Sequence, residues 1–113
     1  MSRKSQSLTG LPRAVLSSVE LVGRHIKIAR KRRGYSQSQL AGMAMVSRDT
    51  LRRLEAGDPV VSFGIVCHVL WALQLTDDIV KLADPLTDEH GIAMAEKSLP
   101  VRVRTREEDE YDF

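Results

Sequence analysis

Arg48, Asp49, Arg52 and Arg53 stand at positions i, i+1, i+4 and i+5 of an expected helix. At 3.6 residues per turn these four share one side. An arginine guanidinium is a planar fork whose N–H groups span the O6 and N7 acceptors of guanine, so arginine is the commonest specific reader of a DNA major groove. Other chemistry has less to work with. His25, Cys67, His68 and His90 are ligand types, but Cys67 and His68 are adjacent and diverge on a helix, and no paired ligand spacing accompanies them. Ser17, Ser18 and Ser47 lack a His/Asp arrangement at nucleophile spacing, and no Gly-rich loop follows a strand. No metal, no cofactor and no enzymatic activity is expected.

The arginine face needs a short, well-held helix beneath it. Ser47 is a natural N-cap for that helix, Leu51 and Leu54 form its apolar side, and Gly57 is its stop. Ahead of it, Ser36 and Gln39 give the Ser-x-x-Gln capping box of a second helix, which ends near Ala44 and carries Leu40, Ala41 and Ala44 inward. Two such helices joined by a three- or four-residue turn are the minimal major-groove reader. The pattern needs a small residue where the helices cross, and Ala41 occupies that place. It needs apolar positions to lock the pair, and Leu40, Ala44, Val46, Leu51 and Leu54 supply them.

Upstream, the spacing predicts a helix over residues 20 to 33 on Val22, Ile26 and Ala29, with an extra turn over 14 to 19 leading into it. Lys27, Arg30, Lys31, Arg32 and Arg33 crowd its end, where cations complement the helix dipole, and Gly34 stops it. Downstream, Asp58-Pro59 signals a turn, and Ser62 to Leu75 reads as the central, most buried helix. Thr76 is expected to cap a fifth helix with Ile79, Val80, Leu82 and Ala83 behind, broken by Asp84-Pro85. A last short helix is expected from Asp88 to Lys97. Val101 to Arg104 alternates as a candidate short strand, and Glu107 to Phe113 is an acidic tail with too little apolar surface to order itself.

The chain has 113 residues, room for one domain with flexible ends, and a net charge of +2. That total conceals an asymmetry. Met1 to Gly57 carries twelve basic residues against three acidic, a net of +9, and Asp58 to Phe113 carries five against twelve, a net of −7. A basic half and an acidic half predict a nucleic-acid face and a separate role for the rest. No apolar run approaches a membrane span, the start has no apolar segment of a secretion signal, and the lone Cys67 fits a reducing compartment, so a cytoplasmic protein is expected.

Ser36-Gln37-x-x-Leu40-Ala41, Val46-Ser47-Arg48 and Leu51-x-x-Leu54-Glu55-x-Gly57, with Gly23, Ile26 and Arg30 upstream, resemble the XRE/Cro-type phage-repressor domain over about residues 20 to 82. The resemblance implies an all-α fold: a five-helix phage-repressor-like helix-turn-helix domain with a short C-terminal extension and disordered ends. It also implies roles. Gln37 would contact a phosphate or brace the first reading side chain. Arg48, Asp49, Arg52 and Arg53 would face base edges, and Ser38 and Thr50, with the Ser47 cap beside them, would lie against the DNA backbone. Asp49 either accepts from a cytosine amino group or orients Arg52 or Arg53, and orientation is favoured. Arg30 and Glu55 would form a structural ion pair. One departure stands out: Met45 sits where this family usually has Gly at positive φ, so either the turn is built differently or burial of the Met45 side chain offsets the strain.

Leu82-Ala83-Asp84-Pro85, Asp88-Glu89-x-Gly91-Ile92-Ala93 and Leu99-Pro100-x-Arg102-Val103-Arg104 are similar to regulators encoded beside HipA-type serine/threonine kinases. This implies a HipB-like antitoxin that binds double-stranded operator DNA as a homodimer, represses its own operon and binds the kinase toxin. Apolar residues between Val60 and Val80, with Val69 and Trp71, are candidates for a symmetric interface. The organisation expected is a flexible basic arm (1–13), the helix-turn-helix domain (14–83), an extension for dimer or partner contact (84–104) and an acidic tail (105–113). The alternatives are a stand-alone XRE-family regulator without a toxin, and an interaction adaptor that has lost specific DNA binding.

Overall fold

The structure is a computed structural model that describes residues 10–98. The expected strand at 101–104, the acidic tail and most of the basic arm lie outside the described residues. The described chain is all-helical, with six helices and no strand. It divides between Ile79 and Val80 into two compact units.

The first unit holds five helices. Helix α1 runs from Arg13 to Arg32 as one continuous element, so the extra turn and the expected helix at 20 to 33 are one piece. Nothing between Pro12 and Gly34 can break it except Gly23, which is tolerated inside a helix. Its inward face is Gly23, Ile26 and Arg30. Ile26 and Ala29 face the core as expected, but Val22 is 44% exposed, because Gly23 instead of Val22 lies against the chain below the helix.

Helix α2 (Gln37–Met43) opens on the expected capping box: the Ser36 side chain accepts from the Gln39 N–H at 3.0 Å, and the Gln39 amide oxygen accepts from the Ser36 N–H at 2.8 Å. Helix α3 (Arg48–Glu55) is capped by Ser47, whose hydroxyl accepts from the Thr50 N–H. Helix α4 (Phe63–Ala72) is capped by Ser62 in the same way. Each of these caps satisfies one of the donors a helix leaves free at its start, worth about 1 kcal/mol.

The C-terminal ends of α1 to α4 also share one solution. In each, paired backbone bonds close a left-handed cap of the Schellman type: Gly34 to Lys31 with Tyr35 to Arg30, Met45 to Gly42 with Val46 to Ala41, Gly57 to Leu54 with Asp58 to Arg53, and Gln74 to Trp71 with Leu75 to Leu70. The left-handed residue is glycine in two of them, and Met45 (φ 57°) and Gln74 (φ 65°) in the others. Met45 therefore adopts the conformation of the glycine it replaces, with the side chain 71% exposed. Both expected ways of escaping the strain fail: the turn keeps its geometry, and burial does not compensate.

The core is Ile26, Leu40, Ala41, Ala44, Leu51, Leu54, Val69, Ala72 and Leu73, with Ala29, Tyr35, Val46, Val61, Val66, Leu70 and Leu75 packed around it. Helix α1 packs on α3, α2 packs on both α3 and α4, and α4 carries the short α5 (Thr76–Ile79). Full burial of Leu40, Leu51, Leu73 and Val69 contributes about 1.5–3 kcal/mol each. Helix α4 is shorter than Ser62–Leu75 and is not the most buried element: Phe63 is 60% and Trp71 54% exposed. A helix of this length meets its neighbours along one stripe, and the remaining apolar residues stay outside it. Val69, offered for a symmetric interface, is instead fully buried in its own unit.

Helix α5 is a single turn in which Thr76 is the first helical residue rather than the cap, and it ends before Val80 and Leu82, both exposed. An isolated turn fixes several dihedrals for one hydrogen bond, and without burial behind it the helix does not extend to Asp84. In the second unit, helix α6 (Glu89–Ser98) matches the expected last helix within one residue at each end, with the Asp88 side chain accepting from the Gly91 N–H at 3.0 Å and no residue buried. No described helix is long and apolar enough to cross a membrane.

Candidate nucleic-acid interface

Helix α3 is held from beneath by Leu51 and Leu54 and from its C-terminal end by charge. Arg30 on α1 donates from Nε to Glu55 Oε2 at 2.6 Å and from Nη2 to Glu55 Oε1 at 2.9 Å, a side-on fork with both side chains under a tenth exposed. Its third nitrogen, Nη1, donates to the Tyr35 carbonyl at 3.0 Å. The Glu55 hydrogen bonds raise the Arg30 guanidinium further above its ordinary value, against the opposing effect of burial. Gln37 completes the cluster, its Nε2 donating to Glu55 Oε1 at 3.0 Å. The amide expected at a phosphate or beside the first reading side chain thus has one of its N–H groups bonded to Glu55. One carboxylate thus ties together α1, the start of α2 and the end of α3.

Backbone contact makes this junction tight. A Cβ at Gly23 would lie 2.5 Å from the Leu54 carbonyl oxygen and 2.8 Å from that of Glu55, and one at Gly57 would lie 2.8 Å from Glu20 Cα. Helix α1 thus touches the last turn of α3 without side chains between them, which is what allows the Arg30–Glu55 fork to close. The importance of Gly23 was invisible to periodicity, because a glycine carries no hydropathy signal.

The opposite side of α3 faces solvent. Arg48 and Ser38 are exposed and have no partner among the described residues. Asp49 and Arg52 pair at 2.6 Å between Oδ1 and Nη2, both well exposed. The Arg52 hydrogen bond, reinforced by its charge, holds the Asp49 carboxyl below the usual aspartate range. Of the two arginines expected to be oriented by Asp49, the structure pairs it with Arg52, at i+3. Arg53 turns instead toward Asp58, with Nε 3.5 Å from Oδ2. Ser47 and Thr50 are joined at 2.8 Å between hydroxyls, with Ser47 donating, so both are engaged in the cap at the helix start.

Three guanidinium groups, one N-terminal cap and an exposed helix about 12 Å long thus project from a rigid base. A helix of this diameter enters a B-DNA major groove, which is about 12 Å wide. Among the described residues no group of three His, Cys, Asp or Glu side chains is gathered as a metal centre. The family model of the helix-turn-helix domain matches residues 21–82, more than half of the chain. No curated protein matches it.

Proposed function

This chain belongs to the helix-turn-helix domain family of DNA-binding regulators, and we propose that it is a sequence-specific repressor of XRE/Cro type in which α3 is the recognition helix. The observation that carries this is the face of exposed Arg48 and Arg52 and half-buried Arg53, set on a helix locked by the buried Arg30–Glu55 fork. In this reading Arg48, Asp49, Arg52 and Arg53 face base edges, Ser38, Ser47 and Thr50 lie against the phosphate backbone, and Gln37 serves through Glu55. A single short helix reads too few base pairs for an operator, so the working species is a homodimer on two half-sites about 34 Å apart.

Selection from a randomised duplex library should yield a two-fold-symmetric site. Binding to it should weaken steeply with salt, the slope of log affinity on log salt scaling as about −0.9 per phosphate neutralised. Arg52→Ala should relax the preference at one base position per half-site. A flat salt dependence with no selected sequence would leave the interaction-adaptor reading instead.

The finer proposal is that the protein is a HipB-like antitoxin of a HipA-type kinase, with residues 84–104 contacting the second protomer or the kinase. It is supported by the motifs from Leu82 to Arg104 and by the acidic half that DNA binding leaves unexplained. A kinase gene directly downstream, whose product is held inactive when co-expressed with this chain, is the expected result. Its absence would leave a stand-alone regulator.

A further inference from the structure

Asp58 lies outside the recognition helix, yet it is the better-anchored of the two carboxylates that face the reading arginines. Its backbone N–H donates to the Arg53 carbonyl at 3.0 Å as part of the α3 cap. Its side-chain Oδ1 accepts from the Val60 N–H at 2.9 Å, closing an Asx turn over Pro59. Both bonds fix the carboxylate, and its other oxygen, Oδ2, is left pointing at Arg53 Nε, 3.5 Å away. That Nε is buried and makes no hydrogen bond among the described residues. A buried donor without an acceptor is costly, and the nearby carboxylate satisfies it after a shift of about half an ångström to the 2.9–3.0 Å of an ordinary N–H···O bond.

We infer that Asp58 is a positioning residue for specificity: by holding the Nε side of Arg53 it presents the Nη1–Nη2 end of the guanidinium outward to a guanine. This rests on the DNA-reading role proposed above. Arg52 is held differently, through Nη2 and by a partner that is itself exposed on the helix surface. The two arginines therefore differ in how their acid is anchored: the Arg53 partner is tied to the backbone of a turn, and the Arg52 partner bonds only Arg52 itself among the described residues. Preorganisation of a fork lowers the entropy lost on binding and raises the penalty for the wrong base.

The test is selection from a randomised duplex library with the full-length wild type and with Asp58→Asn, whose Oδ1 still accepts from the Val60 N–H. Asp58→Ser, whose hydroxyl also closes such a turn, serves as a second variant, and Arg53→Ala identifies the base position that Arg53 reads. The expected result is a guanine at that position for wild type and a loss of at least about fivefold in preference there for both Asp58 variants. Preference at the other positions and affinity for non-specific duplex should be kept or raised, since one negative charge is gone. In an Arg53→Ala background Asp58→Asn should change nothing further at that position. A uniform loss across all sequences would make Asp58 merely structural and overturn the inference. An unchanged preference at the Arg53 position would overturn it while leaving DNA reading intact. Failure of the wild type to select any sequence would overturn both.

Discussion

Glu55 is the residue on which the most structure converges, because one buried carboxylate accepts from Arg30 twice and from Gln37 once. Removing one partner of a buried pair leaves the other charge desolvated and alone, at about 3–5 kcal/mol. Glu55→Ala is therefore expected to lower stability by that amount in urea denaturation, while Arg30→Met with Glu55→Leu should recover most of the loss. If Glu55→Ala kept full stability and lost only DNA binding, the pair would be a reading element rather than a structural one. Asp49 gives a test by titration. Its folded-state pKa is lowered by Arg52, so the contribution of the pair is present above the ordinary aspartate value and is lost only as pH falls through the lower folded value. Carboxyl NMR should show Asp49 titrating below a typical aspartate, and Arg52→Ala should return it upward. The arginines and Asp49 were legible from spacing alone, since a helical period determines which side they share. Which acid each arginine meets was not, because Asp58 reaches Arg53 only after the chain has turned at Gly57.

At the scale of elements, the helix starts and stops carry most of the definition. Ser36, Ser47 and Ser62 act through local bonds three residues ahead, so the boundaries of α2 and α3 could be read directly from the chain. The stops are local too, but two of them are occupied by residues that resist the required backbone. The left-handed region costs a side chain roughly 1–2 kcal/mol, and glycine returns part of that in the flexibility it adds to the unfolded state, about 0.5–1 kcal/mol. Met45→Gly, at an exposed position, should therefore raise stability by about 0.5–1 kcal/mol, read as a higher denaturation midpoint with unchanged slope. A loss instead would show that the exposed Met45 side chain makes contacts in the working assembly. Gly23 predicts the reverse. Alanine improves helix propensity by about 1 kcal/mol, but its Cβ would press on the Leu54 carbonyl, and overpacking costs about 1–3 kcal/mol. Gly23→Ala should thus lower the thermal midpoint and detach α1 from α3, with operator affinity falling in parallel.

Across the whole molecule, every residue of the described core lies between Ile26 and Leu73, within the unit that ends at Ile79. Residues 80–98 bury no side chain of α6. A fragment ending at Ile79 should therefore unfold cooperatively, within about 5 °C of the full chain, a shift of the size produced by roughly 1 kcal/mol in a domain this small. A broad, non-cooperative melt would show that the remainder completes the core. Under the proposed arrangement the same fragment keeps its recognition helix, and any loss of operator affinity would report the contribution of residues 84–104 to pairing.

The chain by itself determined the order of the helices, the serine caps that start α2, α3 and α4 and the face on which the arginines lie, since these depend on bonds and periods spanning three or four residues. It also carried the family pattern, from Ser36 to Gly57. Tertiary structure alone decided the close approach of α1 that places Gly23 inward and Val22 outward, the end of α5 before Val80, and the exposure of Phe63 and Trp71. Each of these depends on how much neighbouring surface is present to cover a residue, a quantity set by distant segments. The pairing of Arg53 with Asp58 belongs with them: two residues five apart meet because the helix stops between them and the backbone reverses.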